Sequence, residues 1–253
     1  MMSVEKRGTA KSEGSPSERA GIWDRMLAAA AATLVLWAVL VSVLAGEVLP
    51  FALGLGVLYA VLAAATLLWP GRVVYWVAIV VSIATLAGGA QFVVSDLGHP
   101  ESALAFVPAL LPELARLTVI AAAVGALRRW DANLARRVVQ VPVGVFVVLA
   151  LVSVGLSVAQ DDDVVQSGDL LVEGKDILWM PDLLTAPAGQ VGVFIENKDP
   201  VRHTFVIEQL DVEVEVPTST SRRVEFTAPA GTYEIICTVL GHENMTGTLV
   251  ISG

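Results

Sequence analysis

Five long apolar runs fill most of the first 160 residues, and they restrict the fold more than anything else in the chain. They cover roughly residues 23–46, 50–69, 73–94, 104–127 and 139–159. About 20 apolar residues in a helix cross the hydrocarbon core of a bilayer, where every backbone N–H and C=O must find its partner within the protein. Short polar breaks separate the runs: Gly46 and Glu47, Pro70 to Arg72, Ser95 to Glu101, and Arg128 to Arg137. The apolar fraction of 55% and the mean hydropathy of +0.69 are too high for an ordinary soluble chain, and the excess is confined to this region. Five successive runs of this length argue against the buried helices of a soluble protein. Residues 21–159 are therefore expected to form an all-α transmembrane bundle of about five helices.

Basic residues set the expected orientation, because cytoplasmic segments retain Lys and Arg. Lys6, Arg7, Lys11, Arg19 and Arg25 precede or open the first run, Arg72 lies in the second break, and Arg128, Arg129, Arg136 and Arg137 lie in the fourth. The alternate breaks carry Glu47, then Asp96 and Glu101, then Asp161 to Asp163. This places the N-terminus in the cytoplasm and everything after the fifth run outside, in a multi-pass plasma-membrane protein. Trp23, Trp69, Trp76 and Trp130 all fall at the expected cytoplasmic ends, as an interfacial aromatic belt would. Residues 1–20 are polar and charged, without apolar periodicity, and read as a disordered cytoplasmic tail. The first run is longer than the apolar core of a signal peptide, about 7 to 15 residues, which favours a retained anchor.

The fourth run holds Glu113 and Arg116, three apart and so on one helical face. Following Pro108 and Pro112 near the outer end of the run, they read as an ion pair that snorkels to the interface, ahead of a transport or quinone site. No histidine lies in any of the five runs, so a haem held by two membrane histidines has no ligands.

Residues 160–168 read as a short acidic linker; the ten residues from Gln160 to Asp169, as a flexible coil, would reach about 16 to 19 Å and keep the C-terminal region near the membrane. From residue 169 to 253 the apolar period falls to two. In Asp211–Val216 the valines face one way and the acids the other, and in Gly231–Cys237 the residues Tyr233, Ile235 and Cys237 share a face. An all-β sandwich of seven or eight short strands is expected. Residues 160–253 carry sixteen acidic against five basic residues, net −11, while the first 159 carry net +2. An acidic exterior repels nucleic acid and steers toward a partner with a basic face.

The chemistry lies in the stretch CTVLGHENM, which brings Cys237, His242 and Met245 into nine residues and includes the chain's one cysteine. One soft thiolate, one imidazole and one thioether suit copper, whereas zinc recruits further paired Cys or His. Of the other histidines, His99 lies among the apolar runs, which leaves His203 as the second imidazole. His203, Cys237, His242 and Met245 together form the donor inventory of a blue-copper site.

In donor types, their order and their surroundings, residues 169–253 resemble the cupredoxin family of plastocyanin- and azurin-like proteins. AGTYEIICTVLGHENMTGTLVI resembles the family's closing hairpin, and PAGQVGVFIENKDPVRHTFVI its earlier strand pair, with His203 opening the second strand. Leu240 stands where the family often has proline, two residues separate His242 from Met245, and Thr204 stands where asparagine often follows the first histidine. The resemblance implies a Greek-key sandwich, one type 1 copper per chain on those four residues, and a one-electron carrier in which His242 is the partly exposed ligand.

Copper nitrite reductases and multicopper oxidases need a second centre with several more histidines, and only His99 remains; a binuclear copper centre needs a second cysteine. The chain is therefore expected not to be an enzyme and to have no catalytic residues. The expected function is a membrane-anchored carrier of single electrons serving a membrane-associated redox protein. The alternatives are a copper-handling protein without redox turnover, and a transporting bundle with the copper domain as sensor.

Overall fold

A computed structural model describes residues 21–44 and 48–253. The tail read as disordered and the first polar break at Gly46 and Glu47 lie outside the described residues. Among the described residues, five helices are long and apolar enough to cross a membrane: α1 (Ile22–Leu44), α2 (Pro50–Leu68), α3 (Arg72–Leu97), α4 (Ala103–Arg128) and α5 (Ala132–Val158). They match the apolar runs with one difference. α5 starts seven residues before the expected 139, because Asp131 caps it by accepting hydrogen bonds from Asn133 N and Leu134 N, and Arg136 and Arg137 fall within its first turns.

α4 is the centre of the bundle, packing against α1, α3 and α5. Small residues allow the approach: Ala115, Ala122 and Ala123 of α4 meet Leu27, Ala31 and Leu34 of α1, and the Trp23 ring lies so close over Gly125 that a Cβ there would meet it at 2.5 Å. Val61, Val80, Ile83, Val148 and Leu151 face outward. Pro112 has no N–H to donate to the carbonyl of Pro108, four residues earlier. Trp37 of α1 donates its Nε1–H to that carbonyl at 2.8 Å. Trp37→Phe should leave the carbonyl unpaired and destabilise the bundle by about 1–3 kcal/mol, read as the shift in a denaturation curve in detergent.

Glu113 and Arg116 pair with each other as expected, but they do not snorkel. Their side chains are buried inside the bundle, and Glu113 Oε2 and Arg116 Nε have no partner among the described residues. α1 and α3 both pack on this helix.

Beyond α5 come nine strands in two sheets. They are β1 (Leu170–Lys175), β2 (Leu178–Met180), β3 (Leu183–Pro187), β4 (Gly189–Asn197), β5 (His203–Ile207), β6 (Val212–Val216), β7 (Ser221–Ala228), β8 (Gly231–Ile236) and β9 (Thr246–Ser252). One sheet has the order β2-β1-β4-β7 and the other β3-β9-β8-β5-β6. The count exceeds the expected seven or eight because residues 178–187 divide at Pro181, which has no N–H for a ladder: β2 pairs with β1 in one sheet and β3 with β9 in the other. Alternation buries Val191, Val193 and Ile195 of β4 against Phe205, Ile207, Ile235, Leu249 and Ile251 of the facing sheet.

The connection from α5 to β1 is held rather than coiled freely. Asp162 accepts a hydrogen bond from Ser221 N at 2.7 Å, Asp163 accepts one from Arg223 N at 2.7 Å, and Arg222 donates to Gln160 and to the Asp161 carbonyl. The acidic residues are thus laid along β7, where its edge is otherwise unpaired. Between α3 and α4, Ser95 accepts from Arg202 at 2.6 Å, Ser102 accepts from Thr218 N at 3.4 Å, and His99 lies between Glu101 and Glu215. The sandwich is seated on that end of the bundle.

Candidate metal centre

Three turns at one end of the sandwich bring the donors together. His203 opens β5, Cys237 directly follows β8, and the loop before β9 carries His242 and Met245. The loop is folded on itself: His242 N donates to the Val239 carbonyl at 3.0 Å, Met245 N to the His242 carbonyl at 2.8 Å, and Cys237 N to the Met245 carbonyl at 3.1 Å. Its sharpest turn is at Gly241, whose φ of +90° a side chain rarely tolerates.

His203 Nδ1 lies 3.2 Å from His242 Nδ1, which lies 3.6 Å from Cys237 Sγ, and the three donor atoms all fall within 4.8 Å of one another. Donors about 2.0–2.3 Å from a shared ion stand roughly 3–4 Å apart, so one metal ion fits among them. Met245 is fully buried, and its terminal methyl lies by His203: a Cβ at Gly174 would come within 2.9 Å of His203 Cδ2 and 3.3 Å of Met245 Cε. Gly174 is thus the cradle for both side chains. The Trp179 ring packs edge-on against His203 at 5.8 Å and against Phe205 at 5.6 Å.

His203 is aimed by Asp199, whose Oδ2 lies 2.8 Å from Nε2; a proton held on Nε2 leaves the Nδ1 lone pair facing the other donors. The same carboxylate accepts from the backbone N–H groups of Asp176 and Ile177 at 2.8 and 3.0 Å. Thr204 tethers the two ligand loops to each other. Its hydroxyl accepts from Thr238 N at 2.7 Å and lies 2.9 Å from the Thr238 hydroxyl, while its own N–H points at Cys237 Sγ from 3.4 Å.

Burial pushes both imidazoles below the usual histidine range. His242 falls to about 4, with the neighbouring His203 as the second cause, and His203 also falls although Asp199 opposes the change. Neutral imidazoles are what a metal requires. In the metal-free protein the unfolded chain, titrating near 6.5, binds protons before the folded one does. Stability should therefore be flat above pH 7 and fall as pH drops from about 6.5 toward 4. Chemical denaturation of the metal-free chain at a series of pH values checks this; a flat profile would mean that the rings reach solvent.

All four expected donors thus occupy one neighbourhood, with His203, Cys237 and His242 clustered atom to atom and Met245 beside His203. His242 differs from the expectation of partial exposure: it is buried, at 7% exposure, next to a cleft shared with Phe92, Ser95 and Asp96 of α3. His99 lies in the contact between bundle and sandwich and not with the donors. Sequence reasoning missed Asp199, Gly174 and Trp179. Asp199 precedes Pro200 and reads as a turn residue; only its spacing of four from His203 hinted at contact.

Residues 144–251 match the family model of the cupredoxin-like domain. Among solved structures, the Cu(I) form of a methionine-to-alanine mutant of amicyanin is similar at 23% identity, with 35% of this chain and 86% of that chain covered and a TM-score of 0.29. The oxidized state of a proline-to-alanine mutant of amicyanin is similar at 21% identity, with the same coverages and TM-score. No match is found among curated proteins. The C-terminal part of this chain is a cupredoxin-like domain, carried behind five apolar helices.

Proposed function

We propose that the protein is a membrane-anchored type 1 copper protein that carries single electrons. One observation supports this above the others: two imidazoles and a cysteine sulfur, all buried, converge on a point one ion can fill, with the buried Met245 beside them. Copper would be held by His203, Cys237 and His242, with the Met245 thioether as a weaker fourth donor, one ion per chain. Bound there, it supplies a one-electron couple. The chain's own residues supply rigidity: Asp199 fixes one imidazole, Thr204 ties the ligand loops together, and the folded loop holds the other donors, so that little rearranges between oxidation states.

The burial of the site favours a carrier over a copper handler, because a handler must release metal to an acceptor. Copper titrated into the full chain in detergent should give an intense visible band and a narrow copper hyperfine splitting, and the reduced form should keep its metal under chelator challenge. Loss of copper on reduction would promote the handler.

The five helices anchor this domain in the plasma membrane, with the N-terminus cytoplasmic and the sandwich outside, as the distribution of Arg residues favours. A cysteine at the exposed Gln209 should react with an impermeant thiol reagent on intact cells; reaction only after lysis would invert the topology. The net charge of −11 on residues 160–253 favours a membrane-associated redox partner with a basic face. Electron exchange with such a partner should slow as salt rises, since exposed charges are screened within about 8–10 Å at 0.1–0.15 M ionic strength. Stopped-flow mixing at two salt concentrations tests the pairing, and rates indifferent to salt would remove the basic face from it.

A further inference from the structure

The turns that carry the donors lie at one end of the sandwich, together with the Asp176–Ile177 turn between β1 and β2. This is the end seated on the bundle. Arg202 reaches Ser95 at the close of α3, Thr218 N reaches Ser102 just before α4, and a Cβ at Gly241 would lie 3.7 Å from Phe92. If the helices span a bilayer, the copper end of the sandwich therefore lies at the level of the lipid headgroups.

Three large apolar side chains are exposed at this end: Ile177 at 38%, Leu178 at 46% and Leu240 at 38%. Ile177 is held there against its own preference. Its φ of +57° is a left-handed conformation that a β-branched residue rarely adopts. The Asp199 carboxylate that aims His203 holds it there by accepting the N–H groups of Asp176 and Ile177. A strained apolar tip maintained beside a metal site has a use.

We infer that Ile177, Leu178 and Leu240 rest in the headgroup and acyl boundary of the bilayer, so that the copper end of the domain faces lipid rather than water. This placement rests on the membrane-spanning reading of the helices. Five helices already anchor the chain, so what the contact governs is access. His242 lies behind a cleft of 180 Å³ bounded by Phe92, Asp96, Arg202 and Leu240. With the rim in lipid, a partner reaches that cleft laterally along the membrane interface, and the open aqueous side of the sandwich leads only to the far end of the strands.

Single cysteines replacing Ile177, Leu240, Val80 and Gln209 in the full chain, each carrying a polarity-sensitive fluorophore, test this in phosphatidylcholine vesicles whose acyl chains are brominated near the glycerol. Val80 lies exposed in the middle of α3, and Gln209 lies exposed in the turn between β5 and β6, at the opposite end of the sandwich. The native Cys237 is buried, and repeating the set with Cys237→Ser excludes a stray label on it. Labels at 177 and 240 should lose most of their fluorescence, as at 80, while the label at 209 keeps its own. Quenching at 80 with positions 177 and 240 behaving like 209 overturns the inference and leaves the anchor intact. No quenching at 80 means that the helices are not in the bilayer, and both readings fail.

Discussion

Cys237→Ser is expected to abolish the intense visible absorption of the copper-loaded protein, while Met245→Leu stays coloured with a changed reduction potential. The band requires a thiolate bonded to copper, and a hydroxyl in the same place is a hard, neutral donor that gives none. The substitution also strips the N–H of Thr204 of the sulfur it faces at 3.4 Å, so affinity should fall along with colour. Met245 lies in a tight turn, its N–H bonded to the His242 carbonyl, and leucine keeps the volume of that fully buried side chain. Absorption and paramagnetic-resonance titrations of both variants check the pair. If Cys237→Ser kept both colour and affinity, the assignment of the centre would be wrong.

The other large effect is expected far from the centre. Arg116→Leu alone should destabilise the bundle by about 3–5 kcal/mol, because it strands the Glu113 carboxylate inside it, whereas Glu113→Leu combined with Arg116→Leu should be close to neutral. Both side chains are buried and each already lacks a partner for one polar atom among the described residues, so the pair contributes little beyond cancelling its own desolvation. Unfolding of the single and double variants in mixed micelles gives the coupling directly. A double variant as damaged as the single ones would show that the pair is doing something that hydrophobic packing cannot replace.

The helices were legible because about 20 apolar residues in succession leave few alternatives, and the clustering of His203, Cys237 and His242 because one cysteine and three histidines leave few combinations. Positions that depend on tertiary contact were not legible. Nothing local marks Gly174 as the floor under His203 and Met245, since the requirement comes from a strand pairing in which Gly174 lies opposite Trp179. Glu113 and Arg116 looked able to reach the interface because the sequence does not show that both side chains turn into the bundle. The linker looked flexible for a similar reason: Asp162 and Asp163 find their donors on Ser221 and Arg223, some sixty residues away. The cleft beside His242 is bounded by Phe92 of α3, which no motif connects to the loop that carries His242.

The parallel pairing of β3 with β9 bears on how the protein is made. Residues 183–187 have no partner on that side until residues 246–252 have been synthesised, and β9 is also the strand on which β8 lies. The sheet that holds His203, Cys237 and Met245 is thus assembled from segments far apart in order of synthesis, a topology that closes late and slowly. By then the five helices have long been translated, and until β9 pairs the nascent sandwich has unpaired edges, the state in which chains associate wrongly. The loop that carries His242 and Met245 is pinned at both ends only when β9 has paired with β8, so a metal centre on these donors would take its final geometry after that pairing.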